Sequence, residues 1–301
     1  MFSFVIPTYN RPQRLANCLE AIAQIDYPRD RFEVVVVDDG STVPIQPIIS
    51  RFKEQLNITF ISQSNAGPAS ARNAGVAQAQ GQYIVFTDDD CQPSPDGLKN
   101  LEIQFAKTPQ ALIGGKTLNA LPQNLCSTTS QLLIDYLYEY YNQKPGKLQF
   151  FASNNFAISK QIFQKIGGFD TNFPLAAGED REFCDRLLQM GYNLVYASEV
   201  QVFHAHDLTL PSFWKQHFSY GRGAFYFHKV RALRNSQPIQ VEPWSFYFDL
   251  LIYPFSQSVS QPKTLMTLLL FMSQLASTIG FFWERQSRKT LAIETTQHSS
   301  L

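Results

Sequence analysis

Four short apolar runs, each followed by a polar cluster, constrain this chain more than any other feature. Residues 2–6 (FSFVI), 33–37 (EVVVV), 58–62 (ITFIS) and 83–87 (YIVFT) are rich in β-branched and aromatic side chains and read as strands. Their near-continuous apolarity marks strands buried on both faces. Between them, 12–25 sets Leu15, Cys18, Leu19, Ile22 and Ile25 at helical spacing behind Pro12, and 45–56 and 68–79 are also helical. Strand alternating with helix predicts an α/β fold with a doubly wound, mostly parallel, Rossmann-like sheet. Ligands of such sheets lie at the carboxyl ends of the strands. There stand "PTYN", "DDGS", "QSNAGP" and "DDD", one after each run.

Further along, 111–115 reads as a strand, 130–142 as an aromatic helix and 150–159 again as strand. Residues 180–190 form a helix stopped at Gly191, and "YNLVY" and "VQVFHAH" follow as two strands. After about residue 210 the composition turns aromatic and basic. The expected organisation is a catalytic domain over 1–210 and a helical C-terminal extension over 211–301, with a hydrophobic segment at 264–283.

Lys plus Arg and Asp plus Glu each number 25, a balance that argues against a nucleic-acid partner. The four cysteines show no C-x-x-C spacing, which suits a reducing cytoplasm. The start "MFSFVIPTYN" enters a strand at once and lacks the pattern of a signal peptide.

The cluster Asp88, Asp89 and Asp90 sets three carboxylates side by side, and their repulsion calls for a cation. A calcium loop of the EF-hand type counted from Asp88 would need Gly where Pro93 stands and Glu where Lys99 stands. An aspartyl-phosphatase motif beginning at Asp38 fails because Gly40 occupies the second Asp position. A solvated acidic loop remains one reading. The other is a divalent cation shared with the phosphates of a nucleotide. No G-x-G-x-x-G follows the first strand, so a dinucleotide fold is not indicated.

In order and spacing, "FVIPTYNRPQRL", "VVVVDDGS", "NAGPASARNAG", "YIVFTDDD" and "GED" (178–180) resemble the family 2 glycosyltransferases of GT-A fold over residues 1 to about 208. The resemblance implies a nucleotide-sugar donor, a divalent metal (Mn²⁺ or Mg²⁺) and inversion at the anomeric carbon. It implies that Pro7 and Tyr9 shape the base pocket and that Asp39 hydrogen-bonds the base. Arg72 would lie near base or diphosphate, Asp88 and Asp89 at the donor, and Asp90 on the metal. Asp180 would be the general base, although an Asp opening a helix also serves as an N-cap. His204, two residues from His206, would complete the metal site. Asn154 and Asn155 either line the acceptor side or make a turn. "YGRG" (220–223) has no role legible in the sequence.

The expected acceptor is a glycan or a lipid-linked molecule. Thr264 to Trp283 carries no charge, yet Ser273, Gln274, Ser277 and Thr278 give it a polar face and basic residues flank both ends. That pattern favours a helix lying on the cytoplasmic membrane surface, with spanning and soluble packed helices as alternatives. Two rival functions are a nucleotidyltransferase, which would want a Gly-rich loop after the first strand, and a catalytically inactive sugar-nucleotide binder.

Overall fold

The computed structural model describes residues 1–142, 150–173, 177–235 and 242–298, with side chains except those of 142, 235 and 288–298. Arg288 and Lys289, two of the expected flanking cations, therefore have side chains outside the described residues. The order of elements is β1 (Phe2–Thr8), α1 (Pro12–Ala23), β2 (Phe32–Asp38), α2 (Gln46–Phe52), β3 (Ile58–Ser62), α3 (Pro68–Gln78), β4 (Tyr83–Phe86), β5 (Cys91–Pro93) and α4 (Gly97–Lys107). There follow β6 (Leu112–Asn119), α5 (Leu125–Asn142), β7 (Phe156–Ser159), α6 (Lys160–Ile166), α7 (Glu179–Gln189), β8 (Leu194–His204), α8 (Leu210–Asn235), α9 (Trp244–Ser256) and α10 (Lys263–His298).

The eight strands form one sheet in the order β3-β2-β1-β4-β7-β6-β8-β5. β1 pairs in parallel with both β2 and β4, and β2 with β3, so the first four strands follow the expected winding. The order reverses beside β1, which makes the gap between the ends of β1 and β4 the switch point where ligands bind. Beyond β4 the sheet is mixed, since β7 runs antiparallel to β4 and β6, and β5 antiparallel to β8.

Alternation along the strands feeds two cores. Phe2, Phe4 and Ile6 of β1 join Val34 and Val36 of β2 against Leu15, Leu19 and Ile22 of α1. On the other face, Gly75 of α3 lies so close to Val5 and Val37 that a Cβ there would sit 2.5 Å from the Val5 side chain. Phe86 of β4 and Phe156 of β7 pack edge to face and stacked with Phe163, Phe169 and Phe183.

Three expectations are corrected. "YNLVY" and "VQVFHAH" form one strand, β8, broken by a register shift opposite Gly115 and Lys116. The break is filled by Asn155, whose amide donates to Lys116 O at 3.0 Å and Val200 O at 3.1 Å, so Asn155 closes a bulge. The run 150–159 is strand only over Phe156–Ser159, because the amide of Ala152 is taken by the hydroxyl of Tyr138 at 2.7 Å.

The chain divides into two units, and the single boundary expected near 210 is not the whole division. The first unit holds Met1–Leu121, Leu137–Asn172 and Asp180–His206, and with them the entire sheet. The second holds Pro122–Tyr136, Phe173–Glu179 and Asp207–Leu301. Tyr136 shows why the earlier segment joins it: its hydroxyl donates to Phe246 O at 2.7 Å and its ring packs on Phe246 and Tyr253 of α9.

Within the second unit the "YGRG" segment gains a role. A Cβ on Gly221 of α8 would lie 1.8 Å from Ser277 O of α10, and one on Gly280 of α10 would lie 2.0 Å from Phe218 O. The glycines let two helix backbones touch. Between them Arg222 pairs with Glu284 at 2.7 Å and lies over the Trp283 ring.

Candidate active site

The polar ends of β1, β2 and β4 are tied to one another by side chains. Thr8, last in β1, donates its hydroxyl to Asp89 Oδ2 at 2.8 Å. Asn10 takes a positive φ of 56°, a conformation Asn tolerates, and its Oδ1 accepts from Thr42 N at 2.8 Å. Gly40 also has positive φ, and a Cβ there would lie 2.7 Å from Asn65 N. Tyr9 is exposed and Pro7 half-buried at this mouth.

Asp39 is buried, and its carboxylate is largely committed to the loop that follows β3. Oδ1 accepts from Gln63 Nε2 at 2.7 Å and Ala66 N at 2.9 Å, while Oδ2 accepts from Gly67 N at 2.9 Å. Sequence reasoning reserved this carboxylate for a base, and the structure gives it first a scaffolding duty.

The three aspartates after β4 have arginine partners, so a metal is not required to offset their repulsion. Asp88 Oδ1 takes Arg72 Nη2 at 2.7 Å, Asp89 Oδ1 takes Arg11 Nη1 at 3.3 Å, and Asp90 Oδ2 takes Arg14 Nη1 at 2.9 Å with Arg11 at 3.6 Å. Burial pushes the Asp89 carboxyl up to about 6, against the opposing charge of Arg11 and the hydroxyl of Thr8. At Asp90 the upward push of burial is outweighed by the hydrogen bond and charge of His204 and the charge of Arg11, which hold it well below the usual carboxylate range.

Asp90 Oδ1 faces His204 Nε2 at 3.2 Å. Cys91 Sγ belongs to the same group, with all three ligand atoms within 4.8 Å of one another. Burial holds the Cys91 thiol well above its ordinary value, and an uncharged thiol is a poor ligand for a hard cation. A carboxylate oxygen and an imidazole nitrogen together can hold a divalent cation. Two ligands at right angles about 2.1 Å from a cation stand about 3 Å apart, close to the separation found. His206 stacks on His204 with centroids 4.7 Å apart, and burial with the neighbouring His204 charge drives it down to about 3.

Asp180 is the second residue of α7 and is half-buried. Its Oδ1 accepts from Arg181 N at 2.7 Å and its Oδ2 from Ser153 N at 3.4 Å. Burial raises its pKa, the amide of Arg181 and the charge of Arg72 oppose the rise, and Asp88 adds to it. Arg72 and Asp88, far from Asp180 in sequence, thus both bear on its carboxyl.

Arg72 is itself buried and supported from beneath. Its guanidinium lies 5.7 Å from the centroid of the Phe169 ring. Asn73 grips the Phe169 backbone, donating to its carbonyl and accepting from its amide, both at 2.9 Å. Arg186 in turn donates to Ile166 O and Gly168 O at 2.6 Å while pairing with Glu182. Asn154 accepts from Thr117 at 3.4 Å.

These strand-end clusters lie on a chain whose residues 3–167 match the family described as glycosyl transferase family 2, which is more than half of its 301 residues. The chain belongs to that family. Residues 139–207 also match a family described as the N-terminal domain of galactosyltransferase. Glycosyltransferase AglE of Haloferax volcanii is 26% identical over 224 residues, covering 73% of this chain and 72% of that protein. The probable glycosyltransferase YdaM of Bacillus subtilis is 25% identical over 324 residues, covering 98% and 75%. The fold is shared with the mannosyltransferase PcManGT of Pyrobaculum calidifontis, solved with GDP-Man and Mn²⁺, at a TM-score of 0.63 and 20% identity over 92% of this chain and 86% of that one. The protein is a glycosyltransferase enzyme of GT-A fold.

The structure brings Arg72, Asp88, Asp89, Asp90, Asp180 and His204 into one charged centre and sets Pro7, Tyr9 and Asp39 at its edge. Sequence reasoning missed Arg11 and Arg14. A signal existed: both stand at the start of α1, where the helix dipole disfavours cations.

Proposed function

We propose that this glycosyltransferase moves a sugar from a nucleotide-sugar donor to a hydroxyl of a glycan or lipid-linked acceptor, with inversion and with a divalent cation. The observation that carries the reading is the grouping at the strand ends of the Arg72–Asp88 pair, at 2.7 Å, with Asp90, whose Oδ1 faces His204 Nε2 at 3.2 Å. The solved relatives support the donor and cation: PcManGT was captured with GDP-Man and Mn²⁺, and Staphylococcus aureus TarS 1–349 with UDP-GlcNAc. Family membership sets the nucleotidyltransferase aside.

In this reading Pro7 and Tyr9 border the base, Asp39 holds the loop of residues 63–67 against it, and Asp88 meets the ribose while steadied by Arg72. Asp89, engaged by Thr8 and Arg11, braces the ends of β1 and β4. Asp90 and His204 hold Mn²⁺ or Mg²⁺, which when bound supplies Lewis-acid stabilisation of the departing diphosphate. Asp180 accepts the proton of the acceptor hydroxyl as its oxygen bonds to the anomeric carbon and the nucleoside diphosphate leaves with the bonding electrons. One direct displacement inverts configuration.

The second unit supports a membrane-surface contact. Leu265, Leu268, Phe271, Leu275, Ile279 and Phe282 are exposed at spacings of three and four, a stripe along one side of α10. By length and composition α10 could cross a bilayer over Lys263–Ser287. Its other side carries Ser277 and Glu284 against α8, whose Lys215, Arg222, Lys229 and Arg231 would be dragged into hydrocarbon by a crossing. A helix lying flat on the cytoplasmic membrane surface satisfies both sides.

The cation assignment is tested by calorimetry with the donor and Mn²⁺. Asp90→Ala is expected to abolish the Mn²⁺-dependent part of donor binding while the melting temperature stays within a few degrees. Unchanged affinity would remove Asp90 from the site.

A further inference from the structure

The carboxylate of Asp90 is divided between two kinds of neighbour. Oδ1 faces His204 Nε2 at 3.2 Å, and Oδ2 is held by Arg14 Nη1 at 2.9 Å with Arg11 Nη1 at 3.6 Å. The Asp90 side chain is buried, so it has little room to turn. Arg14 comes from α1, at the third position after the N-cap, where the dipole works against a guanidinium and its pairing with Asp90 offsets that cost. Such outer partners orient first ligands, and their loss alters metal affinity by about 10–100-fold.

The consequence concerns which cation the site prefers. Ca²⁺ favours carboxylates that give both oxygens, at about 2.3–2.6 Å, and tolerates irregular geometry, whereas Mg²⁺ demands near-octahedral single contacts at about 2.0–2.1 Å. A carboxylate with one oxygen taken by a guanidinium offers a single contact. We propose that Arg14 is a positioning residue that sets the metal preference of the site: by holding Asp90 Oδ2 it leaves Oδ1 alone to face His204, and so favours Mn²⁺ and Mg²⁺ over Ca²⁺. This rests on the reading of Asp90 and His204 as the cation ligands.

The experiment titrates the full-length protein with MnCl₂ and, separately, CaCl₂, following heat or the electron-spin signal of free Mn²⁺. The wild type is compared with Arg14→Gln and with the double variant Arg11→Gln, Arg14→Gln, the latter because Arg11 stands ready to close on the freed oxygen. The preference for Mn²⁺ over Ca²⁺, taken as the ratio of dissociation constants, is expected to fall about tenfold in at least the double variant. Loss of positive charge alone tightens both cations by a similar factor and leaves the ratio in place. A ratio unchanged in both variants, with Mn²⁺ binding still abolished by Asp90→Ala, overturns the role of Arg14 and spares the cation site. Failure of the wild type to bind either cation, or full Mn²⁺ binding by Asp90→Ala, sinks the cation site and this proposal with it.

Discussion

Asp180 is the residue on which the proposed chemistry most depends. A base must be ionised to accept a proton, and burial raises the pKa of this carboxyl. Turnover should therefore fall with acidification at a pH above the ordinary Asp value of about 4. Asp180→Asn keeps the shape and one acceptor oxygen for the amide of Arg181, gives up the long contact to the amide of Ser153, and removes basicity. We expect kcat to drop by about 10²-fold or more with donor affinity nearly unchanged, and the acid limb of the pH profile to vanish. Near wild-type kcat with chemistry rate-limiting would exclude Asp180 as the base, and retained configuration in the product, read by NMR, would exclude direct displacement. The candidates Asp88, Asp90, Asp180 and His204 were legible through the five ordered motifs, since an Asp opening a helix reads equally well as an N-cap and a strand histidine as a core residue. Arg11 and Arg14 showed only their unfavourable place at a helix start; their partners stand more than seventy residues on, and the pairing of β1 with β4 brings them near.

At the scale of elements, the first four strands are nearly as the sequence predicts because β1, β2 and β4 are almost wholly buried and so mostly apolar, while β3, at the sheet edge, is half-buried. Later strands escape this signal. β8 mixes exposed and buried residues and carries a bulge, and nothing local tells "ASEV" that Asn155 will fill the gap across the sheet. The glycines of "YGRG" were likewise mute, because a close crossing of helices shows only when both are in place. Their use can be measured. In Gly221→Ala the added carbon would meet Ser277 O, a backbone atom that cannot swing aside, so α8 and α10 must separate. The expected cost is about 1–3 kcal/mol, with a melting midpoint several degrees lower. An unchanged midpoint would mean that the crossing is looser than these contacts imply.

For the whole molecule, the charges balance, but the second unit is aromatic and basic, and exposed apolar surface is a main feature through which it can meet a partner. Trp244, Phe248, Ile252 and Phe255 give α9 an exposed face, with Trp244 89% exposed, and the stripe on α10 adds Trp283 at its end. Aromatic residues of this kind suit the boundary between headgroups and acyl chains. Deleting these helices is a poor test, since it would strip Tyr136 of its partners on α9. Substitution is cleaner. The full-length protein should float with vesicles of phosphatidylcholine and phosphatidylserine, and the double variant Leu268→Glu, Phe271→Glu should stay behind while binding donor as before. Both side chains are more than half exposed, so the added charges meet water in the folded protein and lipid only on the membrane. A wild type that ignores the vesicles would refute the membrane contact. So would a dimer in solution that the same double substitution dissolves, because the stripe would then cover a second copy of the chain.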